Sequence, residues 1–311
     1  MIVTKRGLVK VIILLAIVDF IAGLWYLTLR IENSGTSRDL WEHTDSAMNA
    51  DTIAEATVPD SFHIVTSRGY FISQQPLVKG DRDTYMASVK VVKARMPISV
   101  NGNDSVIALD NAVAMKALGV TAGDFSTALT QYMSEPHFNN GESLPFKKIQ
   151  TAPIATPRYT DVQRIIVFPR TTSHRLLEVE IDKMHNNGVT VTETSAYVHY
   201  DRQAHAVLNA TDVFNADDEK EILAKINAKI ELLNKKEPKL SLRAVTHMPQ
   251  EFNVRKDGIA FMYPPGEIAP LDDGETIILV LHRDLTQHYT PAFQRIIEAS
   301  TGWWHFKKPS Y

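Results

Sequence analysis

The feature that most constrains this chain is an apolar run near its start. Residues 11–29 read VIILLAIVDFIAGLWYLTL, about the length that a helix needs to cross the hydrocarbon core of a bilayer. Lys5, Arg6 and Lys10 precede the run, which predicts that the N-terminus stays inside and the rest of the chain lies outside. We therefore predict a transmembrane anchor after a cytoplasmic stub of residues 1–10. The anchor positions that we single out are Val11, Asp19, Trp25, Tyr26 and Leu29.

Two other interpretations of the apolar run stay open. A cleaved signal peptide would have a shorter apolar core and a small-residue cleavage site, which the following LRIENSGTS does not supply. A buried helix of a soluble domain is the third interpretation. Asp19 near mid-span indicates either a contact between membrane helices or a tolerated, protonated acid.

Charge and composition exclude several classes of function. The chain carries a formal charge of −3, and without residues 1–30 it has 29 basic and 35 acidic side chains. This balance lacks the basic stripe that a phosphate backbone requires, so we expect no nucleic-acid partner. The chain has no cysteine, which excludes disulfides and thiolate chemistry. No motif calls for a cofactor or a metal.

The rest of the sequence predicts an α+β fold, with antiparallel sheets and flanking helices after the one transmembrane helix. Residues 30–59 are small and polar and are typical of a tether. We divide the remainder into an N-terminal α+β region, 60–190, and a C-terminal α+β region, 191–306. Strand and helix patterns alternate in local groups rather than as regular βαβ units.

A hairpin with a charged face is predicted near residue 180. Leu177, Val179 and Ile181 alternate with Glu178, Glu180 and Asp182, so we expect one dry and one wet face. Further along, His199, Asp201 and His205 could suggest a metal site. Because His205 falls past a turn, we favour polar residues on the wet side of the hairpin.

The stretch GIAFMYPPGEIAP, residues 258–270, predicts a strand that ends in a sharp corner. Two prolines stop the strand ladder and Gly266 allows a bend. We name Phe261, Tyr263 and Glu267 as candidate ligand-binding residues, with the Tyr263 hydroxyl at the rim. We favour a structural corner, with a ligand-binding lip and a catalytic loop as the alternatives. One carboxylate without a second acid, a histidine or a nucleophile is no catalytic signature.

The same residues resemble a known family. FNVRKDGIAFMYPPGEIAP with the following ETIILVLHRDL, and the upstream YVHYDRQAHAVLNATDVF, look like the DUF3298 module of RsiV-type anti-sigma factors and PdaC-type deacetylases. In the upstream stretch the matching positions are Asp201, Leu208, Asp212 and Phe214. The resemblance spans roughly residues 190–300. It departs from the family where Gly266 and Leu271 replace usual aromatics.

The resemblance implies a membrane-anchored module that binds or senses a ligand outside the cytoplasmic membrane of a bacterium. It implies a protein partner such as a lysozyme, or a cell-wall glycan, besides the bilayer around residues 11–29. The short stub before the anchor and the absence of a deacetylase metal set argue against sigma-factor binding and deacetylation. An envelope hydrolase is the alternative function.

For the terminal aromatics Trp303, Trp304 and Phe306 we expect a final strand.

Overall fold

The structure of the protein is a computed structural model, and the residues that it describes belong to the unit Thr57–Tyr311. The described residues are 60–74, 85–100, 102–103, 106–134, 145–150, 159–171, 173 and 175–304. The predicted stub, anchor and tether, and Phe306 of the tail, lie outside them. Among the residues that are described, no helix combines the length and apolarity needed for a membrane span.

Seven strands form a large, mainly antiparallel sheet in the order β3-β1-β2-β4-β5-β6-β7. One neighbouring pair, β2 and β4, is parallel, and the other pairs are antiparallel as predicted. The predicted boundary at residues 190 and 191 falls at the tip of the β5–β6 hairpin. The strands are β1 (Ser61–Ser73), β2 (Met86–Ser99), β3 (Phe146–Ile149), β4 (Tyr159–Thr171), β5 (Leu176–Asn186), β6 (Val191–Asp201) and β7 (Ala206–Leu208).

Two helices cover one face of the large sheet. They are α1 (Ile107–Leu118) and α2 (Phe125–Tyr132), and they bury Leu109, Val113 and Leu129 against the strands. Gly119 closes α1 in the left-handed conformation, and the Asp124 carboxylate accepts the Thr127 amide at the start of α2. Both caps follow from the sequence pattern, because each is set by its own local residues.

A second, three-stranded antiparallel sheet has the order β10-β9-β8. Its strands are β8 (Glu251–Val254), β9 (Gly258–Tyr263) and β10 (Thr276–Leu281). The longer helices that belong to its core are α4 (Glu219–Lys236) and α6 (Pro291–Trp304), and the shorter ones are α3 (Ala210–Val213) and α5 (His282–Leu285). Ile222, Ile226 and Ile230 of α4 share this core with Phe261.

The C-terminal aromatics differ from expectation. Trp303 and Trp304 belong to the last helix, α6, so the predicted final strand is wrong. Thr290 and Pro291 open this helix, and the Thr290 hydroxyl accepts the Phe293 amide. A helix continues here because no breaker follows Pro291 before residue 302.

Candidate functional site

The predicted corner at residues 258–270 places two of its three candidate residues inside the core. Phe261 and Tyr263 are both 0% exposed. The Tyr263 hydroxyl is buried without a hydrogen-bond partner, and burial raises its pKa above the usual range. The expectation that this hydroxyl lies at the rim is therefore wrong. A ligand arriving from solvent cannot touch either ring in this conformation.

Glu267 is the one candidate of the corner that reaches the surface, with a side chain 30% exposed. His247 Nε2 lies 3.1 Å from its Oε1, at ion-pair distance but out of alignment for a hydrogen bond. The Glu267 amide donates to the Pro264 carbonyl at 3.1 Å, and Gly266 has a φ of +82°. These contacts describe a tight turn, and the binding role of Glu267 stays a prediction.

The charged face of the β5 hairpin is buried rather than wet. Glu178 is 1% exposed and Glu180 is 7% exposed. Glu178 accepts hydrogen bonds from the Asn253 side chain and the Val254 amide of β8, while Glu180 accepts from the Tyr197 hydroxyl at 3.0 Å. The expectation is wrong because alternation defines which side chains share a face, and the second sheet then covers this face.

His199 and Asp201 are buried as well, 3% and 4% exposed, so the expectation that they lie on the wet side of the hairpin is wrong. His199 Nε2 donates to the Phe252 carbonyl at 3.1 Å, and Nδ1 lies 3.1 Å from Glu178 Oε2 without hydrogen-bond alignment. Asp201 pairs with Arg175 at 3.2 Å. His205 is exposed beyond the turn, as expected. Within the described part of the chain, no three potential ligands meet as a metal site.

A second carboxylate–histidine pair lies at the other end of β5. Asp161 Oδ1 is 2.5 Å from His185 Nε2, and Asp161 is 2% exposed. Ser88 contacts the aspartate at 3.5 Å rather than the histidine. This order does not form a nucleophile–base–acid relay, since the hydroxyl would have to contact the imidazole.

A cleft that the sequence patterns do not reveal lies along the outer edge of β6. We call it the edge cleft; it has a volume of about 420 Å³ and is lined by Val191, Glu193, Ser195, Gly274 and Glu275. Its two walls come from β6 and from the segment that leads into β10. A smaller cavity of about 270 Å³ continues from Glu193 and Ser195 toward Arg164 and Asp182.

Carboxylates dominate the electrostatics of the edge cleft. Burial raises the pKa of Glu275 to about 7, with nearby Glu251, Asp182 and Glu180 adding to the effect. The Ser195 amide donates to Glu275 Oε1 at 3.3 Å, which opposes that rise only in part. Glu193 remains open to solvent, with a side chain 69% exposed. The cleft thus combines Glu275, a carboxyl that is partly protonated near neutral pH, with the exposed side chain of Glu193.

In the Glu275→Gln variant, the free energy of unfolding should no longer fall as the pH rises through the pKa of Glu275. A carboxyl whose pKa is raised on folding binds more protons in the native state, so stability falls as pH rises from about 4.5 to about 7. Glutamine keeps an acceptor for the Ser195 amide but does not ionise. We expect the variant to be more stable than the parent at pH 8 by about 2 kcal/mol, with little difference at pH 4.5.

Urea denaturation of the full chain in detergent at both pH values measures this difference. Glu231→Gln, an exposed acid of α4, is the matched control and should leave the pH dependence unchanged. Equal pH slopes for Glu275→Gln and the parent would contradict the raised pKa.

Comparison with solved structures identifies the fold. The crystal structure of a DUF3298 family member from Bacteroides fragilis aligns with a TM-score of 0.58 and 14% sequence identity. The alignment covers 78% of this chain and 98% of that one. This chain has the DUF3298 fold. A DUF3298 protein from Pseudomonas aeruginosa aligns with a TM-score of 0.49 and 14% identity, over 76% of this chain and 97% of its own.

The DUF3298 fold extends well beyond the 190–300 stretch in which the sequence resemblance is visible, since the Bacteroides alignment covers 78% of the chain. No family model and no curated protein matches the sequence. Sequence patterns do not predict the edge cleft of this DUF3298 fold, because Ser195 and Glu275 are 80 positions apart in the chain. The one local sign of a site is weak: Gly274 and Glu275 come directly before an apolar strand.

Proposed function

We propose that this protein is a binding domain displayed outside the cytoplasmic membrane of a bacterium, with a protein or a cell-wall glycan as its ligand. The observation that carries the proposal is the edge cleft. There the exposed edge of β6, which carries Glu193, faces Glu275 across a cavity of about 420 Å³. Polar groups converging in a cavity of this size are typical of a ligand site. The fold by itself supports the proposal only by showing that other proteins have the same architecture.

The contacts around the cleft favour binding over catalysis. The Ser195 hydroxyl donates to Asp182 at 3.1 Å, and no described histidine contacts it. A serine nucleophile needs a base that takes its proton, and a carboxylate partner alone does not supply the usual relay. The imidazoles of His185 and His199 contact other groups, Asp161 and the Phe252 carbonyl, and not this serine.

An envelope hydrolase is the second candidate, and one observation favours it. Glu275, with a pKa of about 7, lies in the same cleft as Glu193. Many glycosidases use two carboxyl groups in one cleft, of which the general acid has a raised pKa. Release of soluble sugar from cell-wall sacculi by the parent, lost in Glu275→Gln, would select this candidate over binding alone.

Residues 11–29 supply the basis for the proposed location. The positive residues precede the apolar run, so insertion places the folded unit outside the cytoplasmic membrane. Protease added to spheroplasts should degrade the folded unit of the full chain while a cytoplasmic control protein survives. Protection of the full chain until the membrane is dissolved would overturn this location.

Binding can be measured with the detergent-solubilised full chain against two probes, purified cell-wall sacculi and a purified lysozyme. We expect one probe to be retained, and we expect Glu193→Lys to weaken its retention by about tenfold, as loss of one well-placed charge contact does. Glu231→Lys makes the same charge change on the exposed side of α4 and should retain the parent affinity.

Equal losses in Glu193→Lys and Glu231→Lys would show that only net charge matters and would remove the cleft from the proposal. Retention of neither probe would overturn both named ligand classes.

A further inference from the structure

We propose that the outer edge of β6, from Val191 to Ser195, adds an extended segment of a basic partner protein as a further strand of the large sheet. This inference rests on the proposed binding function and names the class of partner and the way it binds. An added strand gains affinity from main-chain hydrogen bonds and specificity from alternate side chains.

The direction of the backbone groups in β6 is known from its contacts. The amides of Ser195 and Tyr197 donate to side chains outside the β5–β6 pair, and the Tyr197 carbonyl accepts from Lys116 at 2.8 Å. In an antiparallel ladder, alternate residues turn both backbone groups to the same side. Val191 and Glu193 therefore also direct their N–H and C=O groups away from β5.

Side chains complete part of this edge and leave the rest available. Glu275 accepts the Ser195 amide at 3.3 Å, and Glu251 accepts the Tyr197 amide at 3.0 Å. Each carboxylate lies where a neighbouring strand would place a carbonyl. Strand β7 pairs only with residues 199–201 of β6. No strand or loop of the described residues pairs with the outer groups of Val191 and Glu193.

The edge is open enough for a strand. Val191 is 52% exposed, and the Glu193 side chain is 69% exposed. The edge cleft separates these residues from Gly274 and Glu275. Five residues of edge extend about 16 Å, which is the length of an ordinary short strand. An unpaired edge of this kind is a template for another chain unless the protein blocks it.

Charge selects a basic occupant. Glu193 and Glu275 line the cleft, and Asp182 lies beside Ser195. Arg164 and Lys183 are counter-charges that line the adjoining cavity. Arg164 Nη2 is 3.7 Å from Glu193 with both groups well exposed, so that pairing is weak. Lysine or arginine side chains at alternate positions of an added strand would reach these acids, whereas an acidic segment would be repelled.

The first test uses octapeptides of alternating valine and lysine with the full chain. Two versions carry N-methyl groups, one on every valine and the other on every lysine. Only alternate amides of an added strand face β6, so we expect one version to lose affinity by about tenfold or more and the other to bind as the parent peptide does. Equal affinities of the two versions, measured by fluorescence polarisation, would overturn strand addition.

The second test changes the edge itself. Glu193→Pro removes the outward amide, which the β5 ladder does not use, and Glu193→Ala removes the charged side chain but keeps that amide. We expect Glu193→Pro to weaken peptide binding about tenfold beyond Glu193→Ala. Equal losses in the two variants would contradict a main-chain contact at residue 193.

Amide hydrogen exchange in the unmodified chain covers the case in which Glu193→Pro does not fold. The peptide should slow exchange at the amides of Val191 and Glu193 and leave the amides of α4 unchanged. Suppose that the peptide leaves both amides unprotected, while Glu193→Lys still weakens the retention of sacculi or lysozyme. In that case strand addition is wrong and the proposed binding function stands. Protection by soluble cell-wall glycan fragments instead of peptide would assign the edge to a glycan.

Discussion

Gly258→Ala is expected to prevent the small sheet from forming. An added Cβ at residue 258 would lie 2.0 Å from the Val280 carbonyl oxygen and 2.8 Å from the Leu281 Cα. Both are backbone atoms of β10, which pairs with β9 at this point, so neither can move without breaking the ladder. We expect a loss of about 4 kcal/mol or more in the free energy of unfolding.

Urea denaturation of the full chain, followed by circular dichroism, measures this loss. Gly69→Ala is the matched control because its Cβ would meet side-chain atoms, Phe71 Cε2 at 3.2 Å and Met133 Sδ at 3.3 Å, which can shift. We expect that control to change stability by about 1 kcal/mol or less. If Gly258→Ala unfolded at the parent urea concentration, the close approach of β9 and β10 would be wrong.

Glu178→Ala should remove a buried polar contact between the two sheets. The carboxylate accepts from Asn253 and from the Val254 amide at 3.1 Å, and it faces His199 at 3.1 Å, all in a site from which water is excluded. Removing one partner of a buried, hydrogen-bonded pair leaves the others unsatisfied. We expect a loss of about 3–5 kcal/mol in the free energy of unfolding.

Glu193→Ala is the control for this prediction, since it deletes an exposed acid of the neighbouring strand and should cost at most about 0.5 kcal/mol. A double-mutant cycle with His199→Ala then isolates the pair. We expect a coupling energy between Glu178 and His199 of about 1 kcal/mol or more. Strict additivity would mean that His199 contributes only its contact with Phe252.

Hairpins and caps were predictable because neighbours in sequence decide them. The alternation at residues 177–182 gives a strand, and Asn186–Gly188 gives its turn, with Gly188 at a φ of +84°. Asp257–Gly258 is also a turn signal, and the turn between β8 and β9 lies there, closed by the Arg255 amide on the Gly258 carbonyl at 2.9 Å. Gly258 is at the same time the first residue of β9. Residue 258 needs to lack a side chain because the backbone of β10 approaches it closely. This requirement comes from the neighbouring strand β10 and not from the turn.

Long-range packing decided the candidate site, and no local pattern carries that information. Tyr263 and Phe261 stand out in the sequence as aromatics next to a proline corner, but both became core residues of the second sheet. Glu275 stands out much less, yet it reaches Ser195 across 80 positions and forms the edge cleft. Periodicity groups side chains onto faces, whereas the pairing of faces depends on the whole chain.

The sequence by itself determined the α+β class, the positions of the main strands and helices, and the prediction of a membrane anchor at residues 11–29, because composition and short-range periodicity encode them. Only the tertiary structure decided that Glu178 and His199 are buried, that Glu275 gains an unusual pKa, and that β6 keeps an open edge beside it. The physical reason is that burial and electrostatics depend on which distant segments of the chain pack together. A charged group is desolvated only when the two sheets pack against each other.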